Sequence, residues 1–284
     1  MLHFILLVLG KTTPLLLAGL GGLLSEVSGV INFALEGMML VGAFGAMWAT
    51  YATGSPWAGL LGGAAGGALV GLLHALASVK FRSNQIVSSI SLNLLAAGTT
   101  GMLLNQVFGI YGTSPAVNGL PEFHGVSALT PLALCLAGGI MALFRWSRWG
   151  LDLRACGENP AAASAAGLSV TRIRFLSITA GGVLAGLGGA YLSIGELSQF
   201  VENMTQGRGY LAIAALILGR WTPLGVLLAS LLFGTGGAFS EWLAVRWPNL
   251  PPQTFLAFPY LICFTVLMFR IGSRKPPSAL GKLA

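Results

Sequence analysis

Residues 150–172 read GLDLRACGENPAAASAAGLSVTR and form the longest polar, charged interval in a chain that is otherwise mostly apolar. Asn159 is a favoured N-cap residue, Pro160 suits the first helical position, and Gly167 can adopt the left-handed conformation that ends a helix. The residues between them are mostly alanine, a strong helix former. The stretch predicts a two-turn helix with a small-residue surface that suits docking into another protein. An ordinary loop helix without a partner is the alternative.

The composition around this stretch indicates a membrane protein. Of the 284 residues, 55% are hydrophobic and only 8% are charged, and the mean hydropathy is +0.81. Soluble domains carry roughly 25% charged residues, and the core of a soluble domain cannot bury this much apolar surface away from water. The net charge of +7 comes from basic residues scattered at segment ends, so it does not indicate nucleic-acid binding.

Apolar segments of about 20 residues predict the membrane spans. The candidates are 2–24, 34–53, 56–79, 85–108, 127–146, 173–195, 209–219, 223–244 and 254–271. The segment 209–219 is too short to cross alone. Polar, glycine-bearing stretches at 25–32 and 196–209 predict broken helices, because irregular backbone enters a membrane only where protein or a cavity surrounds it. Pro14 predicts a kink, so residues 1–10 are expected either to span or to lie along the interface.

The distribution of Lys and Arg predicts the orientation, with the N-terminus outside and the C-terminus inside. Most basic residues then face the cytoplasm, together with the segment 147–172. These are Lys80, Arg82, Arg145, Arg148, Arg154, Arg172, Arg174, Arg220, Arg270, Arg274, Lys275 and Lys282. Only Lys11, Arg208 and Arg246 remain outside or within the membrane.

The two halves of the chain carry a weak internal repeat. LAGLGG occurs at 17–22 and again at 184–189, and Pro56 and Pro223 open apolar segments at the same offset of 167 residues. Five predicted spans separate the two starts, so the second copy is inverted relative to the first. Inverted-topology repeats, about 12–108 and 173–271 here, are typical of transporters. Chance similarity between glycine-rich helices is the alternative.

Polar residues near the two breaks are the candidates for a solute path, because polar groups at membrane depth usually face a pathway or a partner. Amides and hydroxyls dominate among them, which suits a neutral, hydroxyl-rich solute better than an ion. We expect the path to be lined by Asn32, Glu36, Asn93, Glu202, Asn203 and Arg208. Pairing with backbone amides or with one another is the purely structural alternative for each residue.

No motif for catalysis, ATP binding or metal binding is present. The sequence lacks GxxxxGK[ST], GxSxG, HExxH and CxxC. Its three cysteines and three histidines are isolated, so they predict neither a metal site nor a disulfide framework. The chain is therefore expected not to be an enzyme and to hold no cofactor, and any driving energy comes from another subunit.

Four motifs carry a family resemblance. They are SGVINFALEGMMLVGAF (28–44), GENPAAASAAGL (157–168), AGLGGAYLS (185–193) and ENMTQGRGYLAIAALILGRWTPLG (202–225). The chain resembles the permease subunits of ABC importers for ribose-like sugars, branched-chain amino acids and nucleosides, and nucleoside permeases are the most similar. The nine apolar segments predict an all-α, polytopic bundle of about nine spans, and with the resemblance we expect a single permease domain (1–284) in the bacterial cytoplasmic (inner) membrane.

The resemblance also implies partners and a coupling segment. The partners are a cytoplasmic ABC ATPase that binds ATP and Mg²⁺, a second permease that is a sister chain or another copy, and an extracytoplasmic solute-binding protein or lipoprotein. The coupling residues by resemblance are Glu158, Asn159, Pro160, Ala161, Ala162, Ala163 and Gly167. Ala161 stands where many ABC permeases carry an acidic residue, so no charged contact is expected there.

Other functions remain open from the residues alone. A secondary transporter would use the same repeats, with Glu36 and Glu202 carrying protons. A membrane scaffold without transport is a further alternative. Within the importer hypothesis, the solute is a nucleoside or a related sugar-containing compound, with a simple sugar or a riboflavin-like vitamin as alternatives.

Overall fold

The computed structural model describes residues 2–123, 125–247, 255, 257–268 and 275–282. Within these ranges the chain is mostly helical, as the sequence predicts. The helices are α1 (Leu2–Val27), α2 (Leu35–Thr53), α3 (Pro56–Ala75), α4 (Gln85–Phe108), α5 (Leu129–Trp146), α6 (Arg148–Glu158), α7 (Pro160–Ala165), α8 (Val170–Ala190), α9 (Arg208–Leu218), α10 (Pro223–Arg246) and α11 (Phe258–Met268). Two helices continue in π-helical geometry, α3 through Leu76–Lys80 and α8 through Tyr191–Leu197.

Six helices of the described chain are long and apolar enough to cross a membrane, namely α1, α3, α4, α5, α8 and α10. The shorter α9 rises about 16 Å at 1.5 Å per residue, which is about half of the hydrocarbon core. This length confirms that the segment 209–219 cannot cross alone. The nine predicted segments include α2 and α11, which are not among the six, so the count of nine stays a prediction. Arg270 and Arg274 lie outside the described residues.

Local sequence signals account for several helix starts. Pro56 and Pro223 each stand in the first turn of a helix, as the repeat predicts. Thr222 caps α10, since its hydroxyl accepts a hydrogen bond from the Gly225 N–H at 3.2 Å. The first helix α1 runs unbroken through Pro14, so residues 2–10 continue the helix.

Glycine lets α1 and α8, the two helices with the LAGLGG sequences, pack backbone against backbone. A Cβ on Gly21 would lie 2.3 Å from the carbonyl oxygen of Gly181, and a Cβ on Gly181 would lie 2.4 Å from that of Gly21. Further along, Gly188 lies against the carbonyl oxygen of Pro14. Because residue numbers fall along α8 as they rise along α1, these two helices run antiparallel.

Each of these two helices packs mainly against helices of the other half of the chain. Helix α8 lies against α2 and α3, whereas α1 lies against α9 and α10. Small residues make the first contact close, since a Cβ on Gly42 would lie 2.4 Å from the Cα of Gly186. The halves α1–α4 and α8–α11 therefore interlock, and neither buries its first helix alone.

The connection 109–128 contains a β-ribbon that the sequence analysis did not predict. Its strands are β1 (Glu122–Phe123) and β2 (Val126–Ser127), paired antiparallel. The backbone N–H groups of Ser114 and Val117 donate to the carbonyl oxygens of Phe200 and Ser198, both at 2.8 Å. The connection thus covers the irregular backbone that follows α8.

We expect Gly186→Ala to lower the free energy of unfolding by about 2 kcal/mol, because overpacking a close contact is destabilising. The new Cβ would lie 2.3 Å from the carbonyl oxygen of Gly63, a backbone atom that cannot move aside. Gly138→Ala on α5 is the matched control, with no atom within 4 Å of its Cβ. Thermal unfolding of the purified protein in detergent measures the difference, and equal midpoints for the two variants would contradict the packing argument.

Candidate functional site

The break between α1 and α2 (residues 28–34) is held by polar side chains of α4. Three backbone N–H groups in and after the break donate to side-chain oxygens spaced four residues apart on one face of α4. The bonds run from Ile31 to Gln85 at 2.7 Å, from Phe33 to Ser89 at 3.2 Å and from Gly37 to Asn93 at 2.8 Å. Because lipid offers no hydrogen bonds, this row of acceptors allows irregular backbone at membrane depth.

Glu36 joins the first turn of α2 to the first turn of α9. Its Oε1 accepts a hydrogen bond from the Gly207 N–H and its Oε2 accepts one from the Gly209 N–H, each at 2.7 Å. These N–H groups have no acceptor within their own helix, and the positive end of the helix dipole favours an anion there. A Cβ on Gly209 would lie 2.4 Å from the backbone nitrogen of Glu36, so the backbones themselves touch.

Asn93 completes this junction, which we call the α2–α9 junction (Glu36, Asn93, Gly207 and Gly209). Its side-chain nitrogen donates to the carbonyl oxygen of Phe33 and to the hydroxyl of Tyr210, both at 2.9 Å. One amide therefore contacts α2, α4 and α9. Two of the predicted path residues, Glu36 and Asn93, meet here.

Asn32 takes a different position from its predicted neighbours. It is fully buried, and its side-chain nitrogen donates to the Ser25 hydroxyl at 3.0 Å. Its side-chain oxygen accepts a bond from the Ala34 N–H at 3.1 Å. In this conformation Asn32 shapes the break and does not face an opening.

The remaining predicted path residues lie on the segment that leads into α9. Glu202 and Asn203 are exposed, and Glu202 lies beside Gly101 of α4. Arg208 is half-buried, and its Nη1 donates to the carbonyl oxygen of Met204 at 2.8 Å. Glu202 and Asn203 are therefore not enclosed within the single chain.

A cavity of about 410 Å³ lies beside Arg208, between α1, the end of α8, α9, α10 and α11. Lys11 reaches into it, with its Nζ 2.5 Å from Glu196 Oε1 and 2.8 Å from Glu241 Oε2. The distribution of basic residues predicts only that Lys11 lies outside or within the membrane. No sequence pattern indicates these ion pairs, because they join residues far apart in the sequence.

The predicted helix in the polar interval is present as α7. The side-chain oxygen of Asn159 accepts a hydrogen bond from the Ala162 N–H at 3.0 Å, and Gly167 has φ +85°. Ala161 and Ala162 are exposed, whereas Ala163 is 4% exposed. Ala163 packs with Cys156 and Val170 in a small separate cluster. Ala163, one of the predicted coupling residues, therefore faces the protein interior in the single chain.

Glu158 is exposed beside that surface and also contacts residues 275–282. Its Oε2 accepts hydrogen bonds from the backbone N–H and the hydroxyl of Ser278, at 3.3 and 2.8 Å. The neighbouring Gly157 carbonyl accepts a bond from the Ala279 N–H at 2.9 Å. No local sequence pattern indicated that residues 275–282 lie against the polar interval.

Comparison with known families decides the class of protein. A family model described as "Branched-chain amino acid transport system / permease component" matches residues 4–267. The chain belongs to this family. The permease is therefore a membrane subunit of an ABC importer and is not itself an enzyme. With six long apolar helices in the described part of the chain, it is a multi-pass protein of the cytoplasmic (inner) membrane.

Three relatives match the permease over most of their length. The guanosine ABC transporter permease protein NupQ of Bacillus subtilis is 33% identical over 94% of this chain and 92% of its own. The nucleoside ABC transporter permease protein NupC of Lactococcus lactis is 35% identical over 95% and 92%. TsgC13 of Haloferax volcanii, whose name provisionally assigns it to glucose transport, is 33% identical over 91% and 88%. Permeases of this kind imply an ATPase and a substrate-binding partner in general.

Solved structures show the same fold at low sequence identity. A chain of PsaBC from Streptococcus pneumoniae, solved with a Fab, has a TM-score of 0.55 at 13% identity and covers 98% of this chain and 93% of its own. A structure assigned to the metal-chelate type of ABC transporter, in an inward-facing conformation, has a TM-score of 0.55 at 17% identity over 95% and 86%. These likenesses support the helical permease fold alone.

We expect Glu36→Ala to lower the free energy of unfolding of the permease by about 3 kcal/mol. The change leaves the Gly207 and Gly209 N–H groups without an acceptor, and each unsatisfied group costs about 1–3 kcal/mol. Glu36→Gln keeps one acceptor oxygen and should fall between this variant and the unaltered protein. Glu122→Ala, at an exposed carboxylate, is the control. Thermal unfolding in detergent compares them, and a Glu36→Ala midpoint equal to the control would refute the junction.

Proposed function

We propose that this permease moves a nucleoside, or a related sugar-containing solute, inward by alternating access. The observation that carries the proposal is the 33–35% identity to guanosine and nucleoside permeases over more than nine-tenths of the chain. The match to TsgC13 supports a simple sugar as the second candidate. A riboflavin-like vitamin is a third candidate.

The surface beside the α2–α9 junction supports a neutral, hydroxyl-bearing solute. Asn203 and Gln206 are exposed there, and Tyr210 is 47% exposed while its hydroxyl binds Asn93. Amides bind hydroxyl groups and base edges, and an aromatic ring offers a flat apolar face. Glu202 adds a carboxylate that can accept hydrogen bonds from ribose hydroxyl groups.

A second permease, either a sister chain or another copy, would complete the path. Glu202, Asn203 and Tyr210 open to the outside of the single chain, so one permease alone does not enclose them. The exposed apolar side chains of neighbouring α4, such as Leu94 and Met102, face either this partner or lipid. An extracytoplasmic solute-binding protein or lipoprotein would deliver the solute to the paired permeases.

The helix α7 would couple this permease to a cytoplasmic ATPase. Its exposed face comprises Ala161, Ala162, Ser164 and Ala165, and these small side chains allow close contact with a groove. Asn159, Pro160 and Gly167 fix the two ends of the helix, whereas Ala163 seats it on α6 and α8. ATP and Mg²⁺ would bind to the ATPase, and this chain would hold no cofactor.

We propose the orientation that the basic residues predict, with the N-terminus outside, the C-terminus inside and about nine membrane segments. The antiparallel packing of α1 against α8 supports inverted repeats at about 12–108 and 173–271. In such repeats, broken helices meet near the bilayer midplane. The meeting of the first turns of α2 and α9 at Glu36 is consistent with this arrangement.

The rival functions receive less support. A proton-driven transporter would use Glu36 and Glu202 as proton carriers, but both oxygens of the Glu36 carboxylate bind backbone N–H groups, which leaves only Glu202 for that role. Membership of an ABC permease family disfavours both the secondary transporter and the non-transporting scaffold.

Uptake into proteoliposomes identifies the solute. The permease is reconstituted with its ATPase, its second permease and its solute-binding partner, and each of labelled guanosine, glucose and riboflavin is supplied outside. We expect ATP-dependent accumulation of guanosine well above that of the other two. Accumulation of glucose or riboflavin alone would contradict the proposed substrate class, and guanosine uptake without ATP would contradict the ABC mechanism.

We expect Ala162→Arg to reduce ATP-driven uptake by about tenfold or more, since a long charged side chain on the exposed face of α7 blocks close docking. Ser83→Arg is the control, because Ser83 is also exposed and lies on the same predicted side, in the connection between α3 and α4. Uptake and co-purification of the ATPase are measured for both variants. Normal uptake by Ala162→Arg would exclude α7 as the docking helix.

A further inference from the structure

Three separate stretches of backbone meet where α1 ends. They are the break (28–34), the end of α6 at Gly157 and Glu158, and residues 275–282, which we call the strap. The Ala279 N–H donates to the Gly157 carbonyl at 2.9 Å, and the Gly281 N–H donates to the Gly29 carbonyl at 3.1 Å. The strap therefore binds both the break and the end of α6, which leads directly into the coupling helix α7.

The coupling segment and the break also touch each other directly. A Cβ on Gly157 would lie 2.0 Å from the carbonyl oxygen of Val27 and 3.4 Å from the backbone nitrogen of Gly29. Gly29 has φ +97°, which favours glycine. Two glycines thus allow the end of α6 to rest on the backbone where α1 turns into the break.

Arg174, in the first turns of α8, lies at the centre of this contact. It is 2% exposed, its Nε donates to the Ser28 carbonyl at 3.1 Å, and its Nη1 donates to the Lys282 carbonyl at 3.2 Å. Its Nη2 packs against Gly29 and has no hydrogen-bond partner among the described residues. Burying a guanidinium costs free energy, and an ordinary apolar side chain would fill this place without binding either segment.

We propose that Arg174 is a positioning residue that transmits movement of α7 to the solute path, an inference that rests on the proposed function. When the ATPase displaces α7, the end of α6 moves with it. Arg174 and the strap hold the break to that end, so the break follows. The break carries the bonds to Gln85, Ser89 and Asn93, and through them the displacement reaches the α2–α9 junction.

The ratio of ATP hydrolysed to guanosine taken up by the reconstituted complex tests this inference. Couplings between sites commonly amount to factors of 5–150, so we expect Arg174→Gln to raise the ratio by about tenfold or more. The complex should still assemble and hydrolyse ATP. Arg174→Lys, which can reach one carbonyl but not both, should give an intermediate ratio. Arg172→Gln is the matched control, because Arg172 is exposed two residues earlier on the same helix, and its ratio should not change.

A second variant keeps the inference testable if Arg174→Gln does not fold. A chain ending at Lys275 removes the bonds of Ser278, Ala279 and Gly281 and also the Lys282 carbonyl that Arg174 binds, while the Arg174 side chain itself is kept, and it should also raise the ratio. An unchanged ratio in a folded Arg174→Gln complex, or in the shortened chain if the first variant is unstable, would overturn the inference. Equal increases in Arg174→Gln and Arg172→Gln would overturn it too, since surface charge would then be the cause. Absence of ATP-driven uptake by the unaltered complex would contradict the proposed function and this inference with it.

Discussion

One carboxylate, that of Glu36, satisfies two backbone N–H groups at the start of α9, and the arrangement of both halves of the permease depends on this contact. Inside a membrane no water replaces a missing hydrogen-bond partner, so every interruption of a helix needs acceptors or donors from elsewhere in the chain. The first break receives them from α4, and the start of α9 receives them from Glu36. Each break is thus stabilised by the rest of the bundle. A displacement of the break before α2 therefore also shifts the start of α9. The interlocked packing of α1 and α8 adds to this dependence, because neither half can shift its first helix without moving against the other half.

Much of the fold follows from the sequence because its determinants are local or periodic. Apolar length predicts the long helices, and the short α9 follows from the same count. Asn159, Pro160 and Gly167 predict both ends of α7, since capping acts within a few residues. The spacing of Ser89 and Asn93 places them on one face of α4, where they bind the break. The repeated LAGLGG indicated two related helices, and the structure shows them packed together and antiparallel.

The parts that sequence patterns did not reveal depend on contacts between distant residues. Asn32 has the polarity of a path residue, but Ser25 and Ala34 use its amide in shaping the break. Ala163 is chemically identical to Ala162, and only the packing of α7 on α6 and α8 decides which of them faces outward. The ion pairs of Lys11 and the bonds of Arg174 join segments more than 100 residues apart. No local propensity or periodicity carries information about such pairs, so the strap and its contact with the coupling segment emerged only in three dimensions.

We propose that α7 is the helix that a cytoplasmic ATPase contacts, and that the two interlocked halves of the bundle behind it move together. A cryo-EM map of the complete complex tests this most directly. The account predicts α7 seated in a groove of a nucleotide-binding subunit on the cytoplasmic side, with Ala161 and Ala162 at the contact and Arg174 still bound to both the break and the strap. A map in which no ATPase subunit contacts α7, or in which α7 lies on the outer face of the membrane, would contradict this proposal.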